Sequence, residues 1–319
     1  MLTRVRIAAE DEAGGRLVWP PLNIAHRGAS GEAPENTLAA FDLALRQGAR
    51  GIEFDVHLSS DGIPMVIHDP HLNRTTSGSG LVGEHRANAL RKLDAGSWFN
   101  RRFPEKARRV YAGVKIPLLS EVLAWVGSRK ALAFIEIKRG KRAYPGIEAK
   151  VVDEIEKQRV GRRVTIVSFD FASLRRVQQL NRPISLGLDV SRSLLAIRRT
   201  SSLAGNAVLP HWAIASRGFI RRAHKHSIAV FPWTVDQSAR MERKIVEGVD
   251  GIITNYPARL AEVLRRQESL DAMGGRGWPA RFNHSLTPPF RGGELTPLLS
   301  EEGPGGGGIP ITQHGEGRS

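Results

Sequence analysis

The sequence of 319 residues contains no cysteine. This absence excludes a disulfide scaffold, a cysteine-ligated zinc site and a catalytic thiol. Any metal site must therefore use carboxylates, histidines or both as its ligands.

Long apolar runs are also missing. No stretch approaches the roughly 18 consecutive apolar residues that a membrane-spanning helix needs. The first twenty residues, MLTRVRIAAEDEAGGRLVWP, contain acidic residues and glycines where a secretory signal would need an apolar stretch. We therefore expect a soluble protein of the cytoplasm, with 41% hydrophobic residues to build a sizeable core.

Acidic residues are fewer than basic ones. The chain has 32 Asp and Glu against 47 Lys and Arg, a net charge of +15. No nucleic-acid motif accompanies the basic clusters, so nucleic-acid binding is not favoured. A positive surface would also attract anionic small substrates or an anionic membrane surface, and the oligomeric state is left open. The basic clusters lie at Arg101–Arg102, Lys106–Arg109, Arg221–Lys225 and Arg259–Arg266.

Short apolar, β-branched runs alternate with amphipathic stretches between about residues 22 and 266. This alternation is typical of a parallel sheet with crossover helices. Nine runs are candidate strands: Asn23–His26, Gly51–Val56, Met65–His68, Leu132–Lys138, Thr165–Phe169, Ser185–Asp189, Ala207–Pro210, Ile228–Trp233 and Gly251–Thr254.

The second and third runs are too close together for a parallel crossover. An Asp-Gly pair, Asp61-Gly62, stands between them and is a hairpin signal. We therefore assign the third run to the second arm of a β-hairpin, which leaves eight strands, the number that closes a barrel. The predicted fold is an α/β fold, a (β/α)₈ TIM barrel with a β-hairpin after strand 2 and a small insertion at its C-terminal mouth.

The predicted domain organisation has one catalytic unit. Residues 1–21 form an N-terminal extension, and residues 22–266 form the barrel domain. Between residues 71 and 117 the barrel rhythm is lost, so this segment is predicted to be the mouth insertion. Residues 267–319 are rich in Gly and Pro, as in Gly303–Gly308, and are predicted to be a disordered tail without chemistry.

Two carboxylates lie two residues apart in the second run. Strand alternation places Glu53 and Asp55 on one face and their apolar neighbours on the other. The apolar face of a barrel strand packs on helices, so both acids point inward and need positive charge nearby. The alternative is an edge strand with both acids in solvent, which does not suit the middle of a barrel pattern.

The hairpin predicts the position of His68. A two-residue turn at Asp61-Gly62 would pair residue 60 with 63 and, further along, Asp55 with His68. His68 would then lie beside the two inward carboxylates, which makes it a catalytic candidate. His57, His71 and His85 are expected to be solvated.

The fourth run repeats this pattern near its C-terminal end, where the active sites of such barrels lie. Glu136 and Lys138 share the inward face of Leu132–Lys138. A third inward carboxylate favours a hard divalent cation, because Ca²⁺ and Mg²⁺ prefer oxygen ligands. An ion pair of Glu136 with Lys138 or Arg27, without a metal, is the open alternative.

The triplet His26-Arg27-Gly28 closes the first strand. Gly28 permits a sharp turn or a close backbone approach. Arg27 offers a planar fork that suits a phosphate, and His26 can donate or accept a proton near neutral pH. By itself this triplet does not distinguish a structural role from a functional one.

Taken together, these residues resemble the glycerophosphodiester phosphodiesterases. The resemblance is carried by HRGASGEAPENTLAAF from His26, GARGIEFDVHLSSDGIPMVIHD from Gly48, EIK from Glu136, YPGIE from Tyr144, SF from Ser168, PWTVD from Pro232 and GIITNYP from Gly251. These motifs span about 240 residues in the order that the family shows. Two positions depart from the usual pattern: Ser60 stands where threonine is common, and Asp236 where asparagine is common.

The resemblance implies a role for each candidate residue. Glu53, Asp55 and Glu136 would ligate one divalent cation, Mg²⁺ or Ca²⁺. His26 and His68 would be general acid and base, Arg27 and Lys138 would hold phosphate oxygens, and Trp233 would contact the glycerol. The expected reaction is hydrolysis of a small glycerophosphodiester to sn-glycerol 3-phosphate and an alcohol. A lysophospholipid or another headgroup diester as substrate, and a non-catalytic binding barrel, are the alternatives.

Overall fold

The computed structural model describes residues 20–139, 144–180, 183–192 and 195–272. Nearly all of the predicted N-terminal extension and of the predicted tail lies outside the described residues. No helix in the described ranges is long and apolar enough to cross a membrane.

Eight parallel strands form the centre of the fold. They follow one another in the order β8-β7-β6-β5-β4-β2-β1-β9, and β3 pairs antiparallel with β2. Backbone bonds from Asp250 N to Val230 O and from Ile253 N to Pro232 O, both 3.1 Å, nearly close the ring. The strands are β1 (Leu22–His26), β2 (Gly51–Leu58), β3 (Pro64–Val66), β4 (Leu132–Ile137), β5 (Val164–Ser168), β6 (Ser185–Val190), β7 (Ala207–Pro210), β8 (Ala229–Val230) and β9 (Gly251–Thr254).

Helices alternate with these strands around the outside of the ring, which confirms the predicted (β/α)₈ barrel. The eighth predicted strand is shorter than expected. Beyond Val230 the pairing continues through an isolated bridge between His211 and Trp233 and through Pro232 O, which accepts from Ile253 N, but Pro232 has no N–H to offer the ladder. The helices are α1 (Leu38–Arg46), α2 (Ala87–Leu90), α3 (Ser97–Arg102), α4 (Leu119–Arg129), α5 (Ile147–Lys157), α6 (Phe171–Gln179), α7 (Ala196–Ser202), α8 (Arg217–Lys225), α9 (Ser238–Glu247) and α10 (Pro257–Ala272).

The β2–β3 hairpin exists, but its predicted register is wrong by one residue. Val56 lies opposite Val66 and Leu58 opposite Pro64, so the pairing of Asp55 with His68 does not form. The loop has three residues between Ser59 and Ile63, whose N–H···O bond is 3.0 Å, and Gly62 adopts a φ of +73°. A three-residue loop with a left-handed glycine is the next most common hairpin connection, and Asp-Gly alone does not distinguish the two.

Alternation along the strands separates two apolar layers. Side chains that point outward pack against the helices and form the larger core, which includes Phe41, Phe54 and Trp125. Side chains that point inward fill the lower part of the barrel, and six of the parallel strands contribute to this layer. The inner layer consists of Ile24, Phe134, Val167, Ala207, Leu209, Ala229, Phe231 and Ile253.

The connection from β1 to α1 is fixed by local chemistry. Thr37 caps α1, since its hydroxyl accepts the N–H of Ala40 at 3.2 Å. Gly28 has a φ of +81°, and a Cβ at this position would lie 2.7 Å from Ala40. The turn therefore needs glycine, and it holds the end of β1 tightly against α1.

The segment 71–117 forms short helices and turns above the barrel. Its apolar side chains form a small cluster with Met65 and Ile67 of the hairpin arm. It also contacts the β1–α1 connection, because Lys106 Nζ donates to Gly31 O at 3.0 Å and Tyr111 Oη to Glu32 O at 3.1 Å. Two segments about 75 residues apart in the chain thus meet at the mouth of the barrel.

Candidate active site

Three carboxylates meet inside the upper half of the barrel. Glu53 and Asp55 point inward from β2, and the register of β2 with β4 places Glu136 beside Asp55. One carboxylate oxygen from each lies within 4.8 Å of the others. All three residues are buried. The structure thus brings together the three acids that the sequence predicted to share one site.

Two cations and an amide contact this cluster. Lys138 Nζ lies 2.9 Å from Asp55 Oδ1 and 2.7 Å from Glu136 Oε2. Arg27 Nε lies 3.2 Å from Asp55 Oδ2, to which Asn36 Nδ2 donates at 2.8 Å. The Glu136–Lys138 ion pair, which the sequence left open as an alternative to a cation site, forms as part of a larger cluster.

The cluster has more acidic than basic side chains, and the pKa values of its three acids reflect this imbalance. Burial would raise the pKa of Asp55, but Lys138 and Arg27 hold it well below its usual range. Burial and the charges of Asp55 and Glu136 raise the pKa of Glu53 well above its usual range. Burial also raises the pKa of Glu136 to about 7, against the opposing effect of Lys138. Two cations do not compensate three buried carboxylates, so this all-oxygen donor set fits a hard divalent cation.

His26 is held in one orientation and one tautomer. Its Nδ1 lies 2.7 Å from Asn255 Oδ1, and Asn255 Nδ2 in turn donates to Asp236 Oδ2 at 2.7 Å. Because Asp236 can only accept, the amide oxygen must face His26, and Nδ1 must carry the proton. The free lone pair of His26 is then on Nε2, 3.9 Å from Glu53 Oε2. Burial and the Arg27 charge lower the pKa of His26 to about 4, so the ring is neutral.

His68 reaches the same site from the end of the hairpin. β3 ends at Val66 and Ile67 N still donates to Asp55 O at 3.0 Å, so His68 lies one residue beyond this bond, where the charge of Asp55 acts on it despite the shifted register. Burial lowers the pKa of His68, and the negative charge of Asp55 opposes this shift. His68 Nδ1 lies 2.6 Å from Asp69 Oδ1, and Arg74 connects Asp69 to Glu35 through ion pairs of 2.7 Å.

Comparison with known proteins gives the family. The sequence matches the Glycerophosphoryl diester phosphodiesterase family over residues 26–259. The chain belongs to this family. The match begins at the catalytic candidate His26 and includes all eight predicted site residues.

Two relatives named glycerophosphodiester phosphodiesterase show the extent of the likeness. The protein from Caldanaerobacter subterraneus subsp. tengcongensis is 40% identical over 250 residues, 77% of this chain and 98% of that one. The protein from Bacillus subtilis is 37% identical over 271 residues, 81% of this chain and 90% of that one. The structure of an Oleispira antarctica phosphodiesterase, in complex with the product sn-glycerol-3-phosphate, has a TM-score of 0.69 at 29% identity and covers 77% of this chain and 97% of that one. The chain is therefore an enzyme, a phosphoric diester hydrolase.

One prediction about the family motif is wrong. His57 was expected to be solvated, but it is only 1% exposed. Its Nδ1 lies 3.0 Å from Tyr144 Oη and its Nε2 2.8 Å from the carbonyl oxygen of His68. His57 continues the inward series of Glu53 and Asp55, so the strand period could have found it. The residue supports the backbone of His68.

Asp189 is a site residue that the sequence reasoning missed. It points inward from β6 and is 6% exposed, and its Oδ2 has no hydrogen-bond partner among the described residues. Burial and the charge of Glu136 raise its pKa well above the usual range. Strand alternation could have identified it, because Asp189 lies two residues after Gly187 and therefore on the same inward face of β6.

Trp233 lies at the mouth of the barrel, just after β8. Its Nε1 donates to Leu209 O at 2.7 Å, which fixes the indole. Phe169 and His211 meet its ring edge to face, at centroid distances of 5.5 and 5.4 Å. The three rings form an aromatic wall at the mouth, just after β5, β7 and β8.

Proposed function

We propose that this chain hydrolyses glycerophosphodiesters to sn-glycerol 3-phosphate and an alcohol, and that it uses a divalent cation, Mg²⁺ or Ca²⁺. The observation that carries the proposal is the joint position of three buried carboxylates, two histidines and two cations at one end of the barrel. The product complex of the Oleispira antarctica phosphodiesterase supports the choice of product.

Glu53, Asp55 and Glu136 would hold the cation. A bound divalent cation supplies Lewis-acid stabilisation of the charge on the phosphate oxygens. Crowding of the three acids, whose charges raise the pKa of Glu53, supports this assignment. Asn36 keeps Asp55 in position by donating to its outer oxygen at 2.8 Å.

His26 would be the general base. Its low pKa, about 4, keeps the ring neutral at physiological pH, and the Asn255 contact leaves the Nε2 lone pair directed into the site. Nε2 would accept the proton of the attacking hydroxyl. Asp236 and Asn255 hold the ring in this tautomer throughout.

His68 would be the general acid. Burial lowers the pKa of the ring, and the pairing of its Nδ1 with Asp69 at 2.6 Å opposes this shift by stabilising the protonated form. The proton on Nε2 would pass to the oxygen of the leaving alcohol. The His57 contact with the backbone of His68 positions this donor.

Arg27 and Lys138 would bind the phosphate. Both side chains are largely buried and already contact Asp55, so their charges are directed at the space above the acid cluster. They would stabilise the additional negative charge of the transition state. Trp233 would contact the carbon skeleton of the glycerol with its indole face.

The attacking hydroxyl is either water or the neighbouring hydroxyl of the substrate glycerol. The second route passes through a cyclic glycerol phosphate, which a later hydrolysis opens. Phosphorus NMR of a reaction in progress distinguishes the routes, since the cyclic diester has its own resonance.

The first test is release of sn-glycerol 3-phosphate from glycerophosphocholine and glycerophosphoethanolamine with Mg²⁺, Ca²⁺ or EDTA. We expect release with one of the cations and none with EDTA. His68→Ala and His26→Ala should each abolish it, whereas His226→Ala, an exposed histidine on the outside of the barrel, should not. Release that persists in EDTA, or in either active-site variant, would reject this mechanism.

A further inference from the structure

A groove of about 710 Å³ opens from the catalytic centre towards the segment 71–117. Its inner end is formed by His26 and Arg27, and its outer walls by that segment and by the β9–α10 turn. Neither Trp233 nor its ring partners line it. If glycerol occupies the aromatic wall and the phosphate lies at Arg27, the groove remains for the other half of the diester.

The charge of the groove is unbalanced. Five cationic side chains line it, and Glu35 is the single carboxylate among the lining residues. Glu35 is already shared by Arg27 and Arg74, and Arg74 also has Asp69. In the described ranges no carboxylate lies within 4.0 Å of the three remaining cations. These cations are Arg101, Arg102 and Lys106.

Lys106 is fixed at this position rather than free in solvent. Its Nζ donates to Gly31 O and lies 5.3 Å from the ring centroid of Phe103 and 5.7 Å from that of Tyr256. Arg102 lies 5.5 Å from the centroid of Phe103. Backbone and aromatic rings hold these groups without neutralising them, so their positive charge is directed at whatever enters the groove.

We propose that the groove binds an alcohol half that carries its own negative charge, in particular a second phosphate group. Arg101 and Arg102 contact this phosphate, and Lys106 borders it from the side of the β1–α1 connection. The inference rests on the proposed function and deepens it, because it names the class of alcohol that the site prefers. A cationic headgroup such as choline is disfavoured by the same charges.

The test uses a matched pair of substrates, glycerophosphoinositol and glycerophosphoinositol 4-phosphate, beside glycerophosphocholine. The two inositol diesters differ by one phosphate alone. We expect kcat/KM to be about tenfold higher for the phosphorylated diester, mainly through KM, because charge-assisted contacts to a phosphate are strong. Added salt should reduce this preference.

The double variant Arg101→Gln/Arg102→Gln removes the groove charge. It should lose most of the preference for the phosphorylated diester while kcat/KM for glycerophosphoinositol stays within about twofold, since no reacting group is touched. Arg221→Gln/Arg222→Gln on α8 removes the same charge from an exposed face outside the barrel mouth and should leave the preference intact. Equal loss with both double variants would overturn the inference.

Two further measurements separate the possible outcomes. Calorimetry with inositol 4-phosphate tests the groove even if no diester is hydrolysed; binding that the groove variant weakens supports the inference, and absence of binding rejects it. Sedimentation with phosphatidylcholine vesicles, with and without phosphatidylglycerol, tests a membrane source of the same charge. A further outcome is that the protein binds the anionic vesicles, loses this binding in the groove variant, and shows no preference among the soluble diesters. This outcome would overturn the inference that the groove binds a soluble phosphorylated substrate.

Discussion

The side chains inside the barrel form a lower and an upper layer. On a strand that contributes to both, the two residues are two positions apart. In β4 the lower layer holds Phe134 and the upper layer Glu136, and in β1 the corresponding pair is Ile24 and His26. β8 and its continuation give Phe231 below and Trp233 above. The lower layer is apolar, whereas the upper layer holds the acids, histidines and cations. One strand period therefore separates residues that stabilise the fold from residues that carry the chemistry.

A single substitution should also have a different effect in each layer, on stability in the lower layer and on activity in the upper one. Removing an apolar side chain leaves a cavity, so the cost appears in the free energy of unfolding. Removing an upper-layer acid reduces electrostatic repulsion within a crowded cluster, so its cost should appear in activity instead. Three predictions test this division, and a fourth concerns a histidine outside the barrel.

The largest effect is expected for Glu136→Gln. We expect kcat/KM to fall by about a thousandfold, since a ligand and a transition-state interaction are lost together. The melting temperature in EDTA should not fall, because one of three mutually repelling carboxylates is gone. Glu148→Gln is the control: this buried acid outside the barrel bonds to Ser173 and Arg176, so its loss should lower stability and spare activity. A strong destabilisation by Glu136→Gln would contradict the division.

The second prediction concerns Phe134→Ala in the lower layer. Urea unfolding should show a loss of about 3–5 kcal/mol, the usual cost of truncating a buried phenylalanine. The folded fraction at low temperature should retain kcat within a few fold. Phe169→Ala makes the same truncation at the mouth, where the ring is 48% exposed, and should cost less than about 1 kcal/mol.

The third prediction concerns Asp189→Asn. Burial raises the pKa of Asp189 in the folded protein above its pKa in the unfolded chain. Between these two pKa values only the unfolded chain is ionised at this residue, so the native protein loses stability as the pH rises through this range. Asn should therefore stabilise the protein in EDTA by about 1 kcal/mol at neutral pH and by nothing at pH 3. Melting temperatures across this range decide it, with the exposed Asp153→Asn as the control. A gain that is independent of pH would point to packing rather than charge.

The smallest effect is expected for His224→Gln on the outside of the barrel. His224 Nε2 lies 2.8 Å from Asp250 Oδ2, and although burial opposes it, this partner raises the pKa of His224. Such a group stabilises the fold below its unfolded pKa and loses this contribution as pH rises through the folded pKa. The variant should be destabilised by about 0.5 kcal/mol at pH 6 and less at pH 8.5. The exposed neighbour His226→Gln is the control variant.

The sequence by itself determined the inward faces of the strands that carry the acids, and the family. Alternation assigned Glu53, Asp55 and Glu136 to one inward face, and the Asp-Gly pair correctly removed one run from the count of parallel strands. Strand alternation also assigns His57 and Asp189 to the inward face. The sequence around an isolated histidine or acid in an apolar run does not show which residues it contacts. Local periodicity gives the face of a residue and not its neighbours.

Tertiary structure decided the rest, because it depends on contacts between distant segments. The hairpin register followed from a loop that Ser59 and Gly62 close, and His68 lies just beyond the bond from Ile67 N to Asp55 O, where the charge of Asp55 acts on it. The tautomer of His26 depends on Asn255, 229 residues away. The basic groove likewise forms where the segment 71–117 meets the β1–α1 connection. The sequence identified the charged residues of that segment, but only packing directed them at the catalytic centre.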